Sequence, residues 1–197
     1  MKLYYSPGAC SLASHIALQE AGKPFSTEKT NLRDKTTETG ADFSKINPRG
    51  AVPALALESG EVLTEGVAIM QYVADNAGGT PAQGTVARAR LHEALNFVST
   101  EVHKTYSPFF RPMSDEAKVA QTDLLNARLG IIESKLSGQP YLTGADYSVA
   151  DGYLFTVTNW SKMISHDLSG FPNLLALRDR VAARPTVQAA LKAEGLI

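Results

Sequence analysis

An α+β half in the order β-α-β-α-β-β-α, followed by an all-helical half, is the fold class this sequence predicts. Three observations predict it. Short strand-like runs alternate with helical ones as far as residue 77. Residues 78–84 (Gly-Gly-Thr-Pro-Ala-Gln-Gly) then read as a linker. Beyond it, apolar residues recur at helical spacing almost to the end. The predicted organisation is an α+β domain over 1–77, a linker over 78–84 and a helical domain over 85–197.

Each element has its own signal. Lys2-Leu-Tyr-Tyr5 is a short strand, stopped by Ser6-Pro7-Gly8. Residues 10–21 form a helix, with Leu12 and Ile16 four apart and Gly22 and Pro24 as the stop. Residues 25–30 alternate weakly as a second strand, and a short helix is expected near Ala41–Ile46. Asn47-Pro48-Arg49-Gly50 is turn chemistry. Ala54–Leu57 and Glu61–Thr64 flank Glu58-Ser59-Gly60 as a hairpin. From Glu65 the period becomes helical, with Ile69, Met70, Val73, Ala74 and Ala77 on one face. In the second half, Leu125, Leu129, Ile132 and Leu136 form one stripe, and Tyr153, Val157, Trp160 and Ile164 another. Ser148-Val-Ala-Asp151 is a capping box opening that second helix. Pro172 and Pro185 suit the first turns of further helices, and Pro108 should bend or end the helix before it.

Bulk properties exclude several classes. Nineteen basic residues against 20 acidic leave a net charge of -1, which lacks the basic excess of a nucleic-acid binder. No apolar run approaches the ~20 residues of a membrane span, and the N-terminus lacks a signal-peptide stretch, so a cytoplasmic protein is expected. With Cys10 as the single cysteine, no intrachain disulfide or two-thiol exchange motif can form, because Ala13 stands at the CxxC position. The four histidines, His15, His92, His103 and His166, show no metal-ligand spacing. His92 and His103 would lie about 16 Å apart along one helix. No metal is expected.

Three motifs carry candidate chemistry. In Ser6-Pro7-Gly8-Ala9-Cys10-Ser11 a thiol stands at a helix start, where free amides favour an anion. A thiol so placed can fall below its free pKa of roughly 8.5. A lone cysteine is also commonly a small buried hydrophobe. Val52-Pro53 precedes a strand, so a cis bond there would turn the Val52 N–H and C=O outward to pair with an extended peptide; trans is the commoner isomer. Leu63-Thr64-Glu65-Gly66 combines a carboxylate with helix-start amides, a corner suited to an amino-acid zwitterion. Glu65 alone would equally serve the helix dipole. Asn96 and His103, seven residues apart on a predicted helix, would share a face at about 10 Å, the length of an extended tripeptide; two exposed polar residues would have the same spacing.

Together these residues resemble the glutathione transferase family, specifically its bacterial beta class. The likeness runs through residues 1–11, through 46–55 (Ile-Asn-Pro-Arg-Gly-Ala-Val-Pro-Ala-Leu), through 63–69 (Leu-Thr-Glu-Gly-Val-Ala-Ile), and through 101–108 and 148–155. It implies a thioredoxin-like first domain and a homodimer. It also implies that glutathione, as co-substrate with no further cofactor, lies in a groove between the domains. Ala9 and Cys10 would lie beside its sulfur, and Val52, with a cis Pro53, would pair with its cysteinyl backbone. Glu65 and Gly66 would hold the γ-glutamyl end and Lys35 the glycyl carboxylate. Asn96 and His103 would line the groove, His103 near the thiol. Cys10, His103 and Ser11 are the candidate catalytic groups, with Tyr5 a further hydroxyl. Tyr106, Phe110 and Trp160 are candidates for the electrophile pocket, with Phe109, Lys104 and Arg111 nearby. The implied reaction is conjugation of glutathione to small hydrophobic electrophiles, a detoxification chemistry. The alternatives are thiol-disulfide exchange through Cys10 and a non-catalytic ligand-binding role.

Overall fold

The computed structural model describes the whole chain, Met1–Ile197. It forms two compact units: Met1–Thr80 together with Ala183–Ile197, and Pro81–Ala182.

The first unit is built on a five-stranded sheet in the order β3-β2-β1-β4-β5. Strands β1 (Lys2–Tyr5), β2 (Ser26–Asn31), β4 (Ala54–Ala56) and β5 (Val62–Thr64) match the predicted runs. The two-residue β3 (Thr36–Thr37) has no period to betray it and lies between the predicted second strand and the predicted short helix. β1 pairs parallel with β2 and antiparallel with β4, with Leu3 opposite both Thr27 and Leu55. β5 is antiparallel to β4. The C-terminal ends of β1, β2 and β5 and the N-terminal end of β4 therefore emerge along one edge of the sheet. That edge is where the chemistry-bearing segments lie.

Helix α1 (Ser11–Ala21) ends at Gly22, whose φ of 63° is a left-handed cap that a glycine adopts without a Cβ clash. It packs against α3 (Gly66–Asn76), and Leu3, Leu12, Ile16, Leu18, Leu55, Ile69 and Met70 are buried in the layers of sheet and helices. The short α2 (Phe43–Ile46) sends Phe43 into a second cluster with Tyr4, Val52 and Ala54. Burial of each large side chain in these layers contributes about 1.5–3 kcal/mol.

The last helix, α10 (Pro185–Ala193), corrects the expected boundary. The sequence assigns it to the helical domain, but residues 183–197 pack in the first unit. The reason is a polar clasp over an apolar seam. Val187 and Ala190 are buried, and the helix packs on α1. Arg184 donates to both Glu20 oxygens at 2.7 Å, and buried Glu194 accepts the Gly8 N–H at 2.9 Å.

The second unit is helical. Helix α4 (Val86–Phe97) continues as a π-helical segment, Val98–His103, then as α5 (Lys104–Tyr106) and a 3₁₀ turn, Ser107–Phe110. The helix thus changes character at Pro108, as its missing donor predicts. Helix α6 (Asp115–Lys135) buries Leu125, Leu129 and Ile132, with Leu136 buried at its cap. Helix α7 (Val149–Thr158) is buried at every position and opens on the predicted capping box. The stripe from Tyr153 to Ile164, expected in one helix, is broken at Asn159, after which α8 (Trp160–Met163) begins. Near the break, the Thr156 and Thr158 hydroxyls donate to carbonyls four residues back, which competes with the helical ladder. Helix α9 (Pro172–Ala182) has its start capped from outside, since Glu133 accepts the Asn173 and Leu174 N–H groups.

Asp151 is the polar pivot of this unit. Its buried carboxylate accepts the Leu142 N–H at 2.7 Å and both the N–H and hydroxyl of Ser148 at 2.8 Å. Replacing it by alanine loses the cap and strands a buried donor. Asp151→Ala is expected to cost about 2–4 kcal/mol, read as a lowered urea midpoint with the slope unchanged.

Candidate functional site

The first cluster lies at the sheet edge of the first unit. β1 feeds a turn at Gly8, whose φ of 68° suits glycine and whose N–H is held by Glu194. The turn delivers Cys10 to the N-terminal cap of α1. There the thiol donates to the Val52 carbonyl at 3.3 Å. Burial pushes its pKa up to about 11, against the opposing pull of the Cys10 and Ser11 backbone amides. Of the two readings open for this thiol, burial favours the neutral, hydrophobe-like one. A helix end is worth about 0.3–1 kcal/mol, and desolvation of a thiolate outweighs it here.

Ser11 and Tyr5 are also spoken for. The fully buried Ser11 hydroxyl accepts the Ser6 N–H at 3.1 Å and donates to the Ser6 carbonyl at 3.2 Å, so it braces the turn. Burial and the Glu194 carboxylate raise the pKa of Tyr5. Neither hydroxyl is presented as a ready anion.

Val52-Pro53 is cis. Its loop is held by buried Asn47, which donates to the Ala51 carbonyl at 2.7 Å and accepts the Arg49 N–H at 3.1 Å. Lys35, itself at φ 54°, lays its stem over Gly50 and donates to the Gly50 carbonyl at 2.7 Å. Gly50 sits at φ 59°, and a Cβ there would come within 3.0 Å of the Lys35 Cε. Only glycine fits that approach. Across the edge, Glu65 caps α3 at φ 67° and pairs with Arg49 in an exposed ion pair. Gly66 begins the helix against the Pro53 ring, to which a Cβ would stand at 3.6 Å. Ala9, Cys10, Lys35, Val52, Pro53, Glu65 and Gly66 thus come together along one edge. Asn47 and Arg49 join them, read from sequence only as part of a turn.

The second cluster belongs to the helical unit. His103 closes the π segment, and its Nδ1 lies 2.7 Å from the Tyr153 hydroxyl. Its ring meets Trp160 edge-on at 5.0 Å, and Trp160 meets Phe110 at 5.6 Å. Burial, with the Lys104 charge adding to it, lowers the His103 pKa to about 4, so the ring is neutral at physiological pH. Asn96 is exposed on α4. The shared face expected for Asn96 and His103 assumed an unbroken 3.6-residue period. The π segment between them underwinds the helix, so a seven-residue step no longer returns to one face.

The candidates for an electrophile pocket separate. Tyr106 is fully buried, bonds Ser161 at 2.5 Å and has its pKa pushed up to about 12 by burial, so it is core and lines no pocket. Trp160 is also largely covered. Phe110 is half exposed and, with Phe109, Arg111, Met163 and Ile164, lines an open depression of about 570 Å³. A depression of about 490 Å³ on the first unit, around Met1, Leu57, Tyr72 and Asn76, lies at the opposite end of β1 from Cys10 and takes no part in this edge.

These arrangements match a known family. Residues 8–76 match the glutathione S-transferase N-terminal domain and residues 97–185 its C-terminal domain. The chain belongs to the glutathione S-transferase family. It is an enzyme of that family by its likeness to "Glutathione S-transferase GstA" of Escherichia coli O157:H7, 43% identical over the full length of both chains. Among solved structures, a sphingomonad glutathione S-transferase complexed with glutathione superposes with a TM-score of 0.95 at 46% identity, covering 100% of both chains. A beta-class enzyme from Sphingomonas chungbukensis does so with a TM-score of 0.95 at 48% identity, again over 100% of both chains. The bacterial beta class is therefore the branch this member of the family resembles.

For this member of the family the thiol environment gives a direct expectation. The reaction of Cys10 with iodoacetamide, followed by mass spectrometry, should rise about tenfold per pH unit from pH 7 to 10, because only the thiolate reacts. Half-ionisation should fall near pH 11. A rate already level below pH 9 contradicts the buried, neutral thiol.

Proposed function

We propose that this chain binds glutathione along the sheet edge of its first unit and transfers the glutathionyl sulfur to a small hydrophobic electrophile. The observation that carries this reading is the convergence of a backbone pairing segment, a zwitterion corner and a cation on one edge. Val52 offers main-chain groups to an extended peptide. Glu65 and the first amides of α3 suit an α-ammonium and an α-carboxylate. Lys35, across the same loop, suits the glycyl carboxylate. Ala9 and Cys10, at the start of α1, are the neighbours assigned to the sulfur. The likeness to a family member crystallised with glutathione supports the same ligand.

The chemistry follows from electrostatics. The thiol proton leaves to solvent, the thiolate attacks the electrophilic carbon to form the C–S bond, and the leaving group departs with its electron pair or a strained ring opens. What the first unit supplies is stabilisation of the thiolate by fixed donors: the α1 amides and the Cys10 S–H. Within the second unit, Asn96, His103 and Phe110 beside Trp160 are the groups proposed to serve a ligand. We assign no activating role to Ser11, whose hydroxyl is committed to the turn. A Cys10 mixed disulfide is disfavoured, because a thiol with a pKa of about 11 is a poor nucleophile at neutral pH. A homodimer belongs to the same reading and is tested by sedimentation.

Steady-state conjugation of glutathione with an aryl halide tests the reading. Cys10→Ala should keep kcat/KM within about fivefold of wild type, the size of one neutral hydrogen bond. Glu65→Ala should raise the KM for glutathione about 10- to 100-fold, the loss of one charge-assisted contact. Glutathione saturation unaltered by Glu65→Ala would remove the zwitterion corner and the proposal with it.

A further inference from the structure

A neutral imidazole carries one proton, and which nitrogen holds it is set by the bond the other nitrogen makes. In His103, Nδ1 is within 2.7 Å of the Tyr153 hydroxyl, and the ring is clamped edge-on between Tyr153 at 5.9 Å and Trp160 at 5.0 Å. Tyr153 stands on α7, the buried central helix, so its hydroxyl is held on a rigid element. The π segment packs against α7 and ends at His103, which turns this residue toward Tyr153. The Ser107 hydroxyl donates to the His103 carbonyl at 3.0 Å and steadies the backbone at the same point.

We propose that Tyr153 is a positioning residue that locks His103 in the Nε2–H tautomer and so fixes it as a one-directional hydrogen-bond donor. The phenol is the better donor of the pair. Its O–H is acidic relative to an imidazole N–H, and its oxygen lone pair is partly delocalised into the ring, while Nδ1 is a localised acceptor. With the phenol O–H donating to Nδ1, the imidazole proton must sit on Nε2. A neutral ring of pKa about 4 keeps that proton rather than exchanging roles with a protonated form. On the function proposed above, Nε2–H is the donor this ring offers to a ligand, and that consequence rests on that reading. The tautomer itself does not.

Two measurements separate the two statements. The first is a ¹⁵N–¹H correlation spectrum of the histidine rings in the ligand-free wild type and in Tyr153→Phe. The wild type should show His103 as one species with Nε2 protonated, and Tyr153→Phe should show shifts averaged between both tautomers. A wild-type ring protonated at Nδ1, or a Tyr153→Phe ring identical to wild type, overturns the proposal whatever the activity. The second is a double-mutant cycle in glutathione conjugation. Tyr153→Phe should lower kcat/KM about 3- to 10-fold in wild type, on the scale of one hydrogen bond, with no further loss in a His103→Ala background. Equal losses in both backgrounds would make Tyr153 merely structural and overturn it. A locked wild-type ring in a protein that turns over no glutathione supports the tautomer and counts against the functional reading instead.

Discussion

The Glu194 carboxylate is the contact on which the first unit turns. Fully shielded from solvent, it accepts the Gly8 N–H and pairs with Nδ1 of His15, each at 2.9 Å. It thereby ties the turn before Cys10, the middle of α1 and the end of the chain to one point. A polar contact of this kind adds little net stability compared with apolar packing of the same volume, yet losing one partner is costly because the other is stranded. Its value is in register. The Gly8 turn has one permitted position, and every group that follows it at the sheet edge inherits that position.

The same edge has its polar groups paired among themselves. Lys35 rests on the Gly50 carbonyl, Arg49 on Glu65, and the Cys10 thiol on the Val52 carbonyl. Burying an unpaired polar group costs more than a hydrogen bond returns, so the half-buried groups among these are paired within the protein. On the proposed function, a peptide ligand would exchange these bonds for its own, and its net affinity would be the difference. The loop carrying three of these partners is in turn held by Asn47, which is why a turn motif is also part of the site.

The Cys10 thiol and the His103 imidazole are both neutral at physiological pH. Burial raises the Cys10 thiol and lowers the His103 imidazole, and both shifts favour the neutral form. A neutral side chain holds an anion through its N–H or S–H donor and through nearby amide dipoles. Such donors, fixed before the anion forms, need no reorganisation when it does.

Periodicity and punctuation made most of the fold legible. The strand runs, the Gly22 stop, the capping box at Ser148 and the prolines at 172 and 185 act within a few residues, so local sequence carries them. The motifs at Cys10, Val52-Pro53 and Glu65 were legible for the same reason, since turn and cap chemistry is local. Tertiary structure decided the rest. Where α10 packs depended on Glu20, His15 and Gly8, far away in the chain. The direction of the Cys10 shift depended on desolvation, which only packing defines. The loss of a common face for Asn96 and His103 depended on a π segment that no apolar spacing announces. Tyr153 read as one member of a core stripe, and only the fold put its hydroxyl against a histidine fifty residues earlier. Short-range geometry is written in neighbouring residues, whereas burial and long-range pairing exist only once the chain has closed on itself.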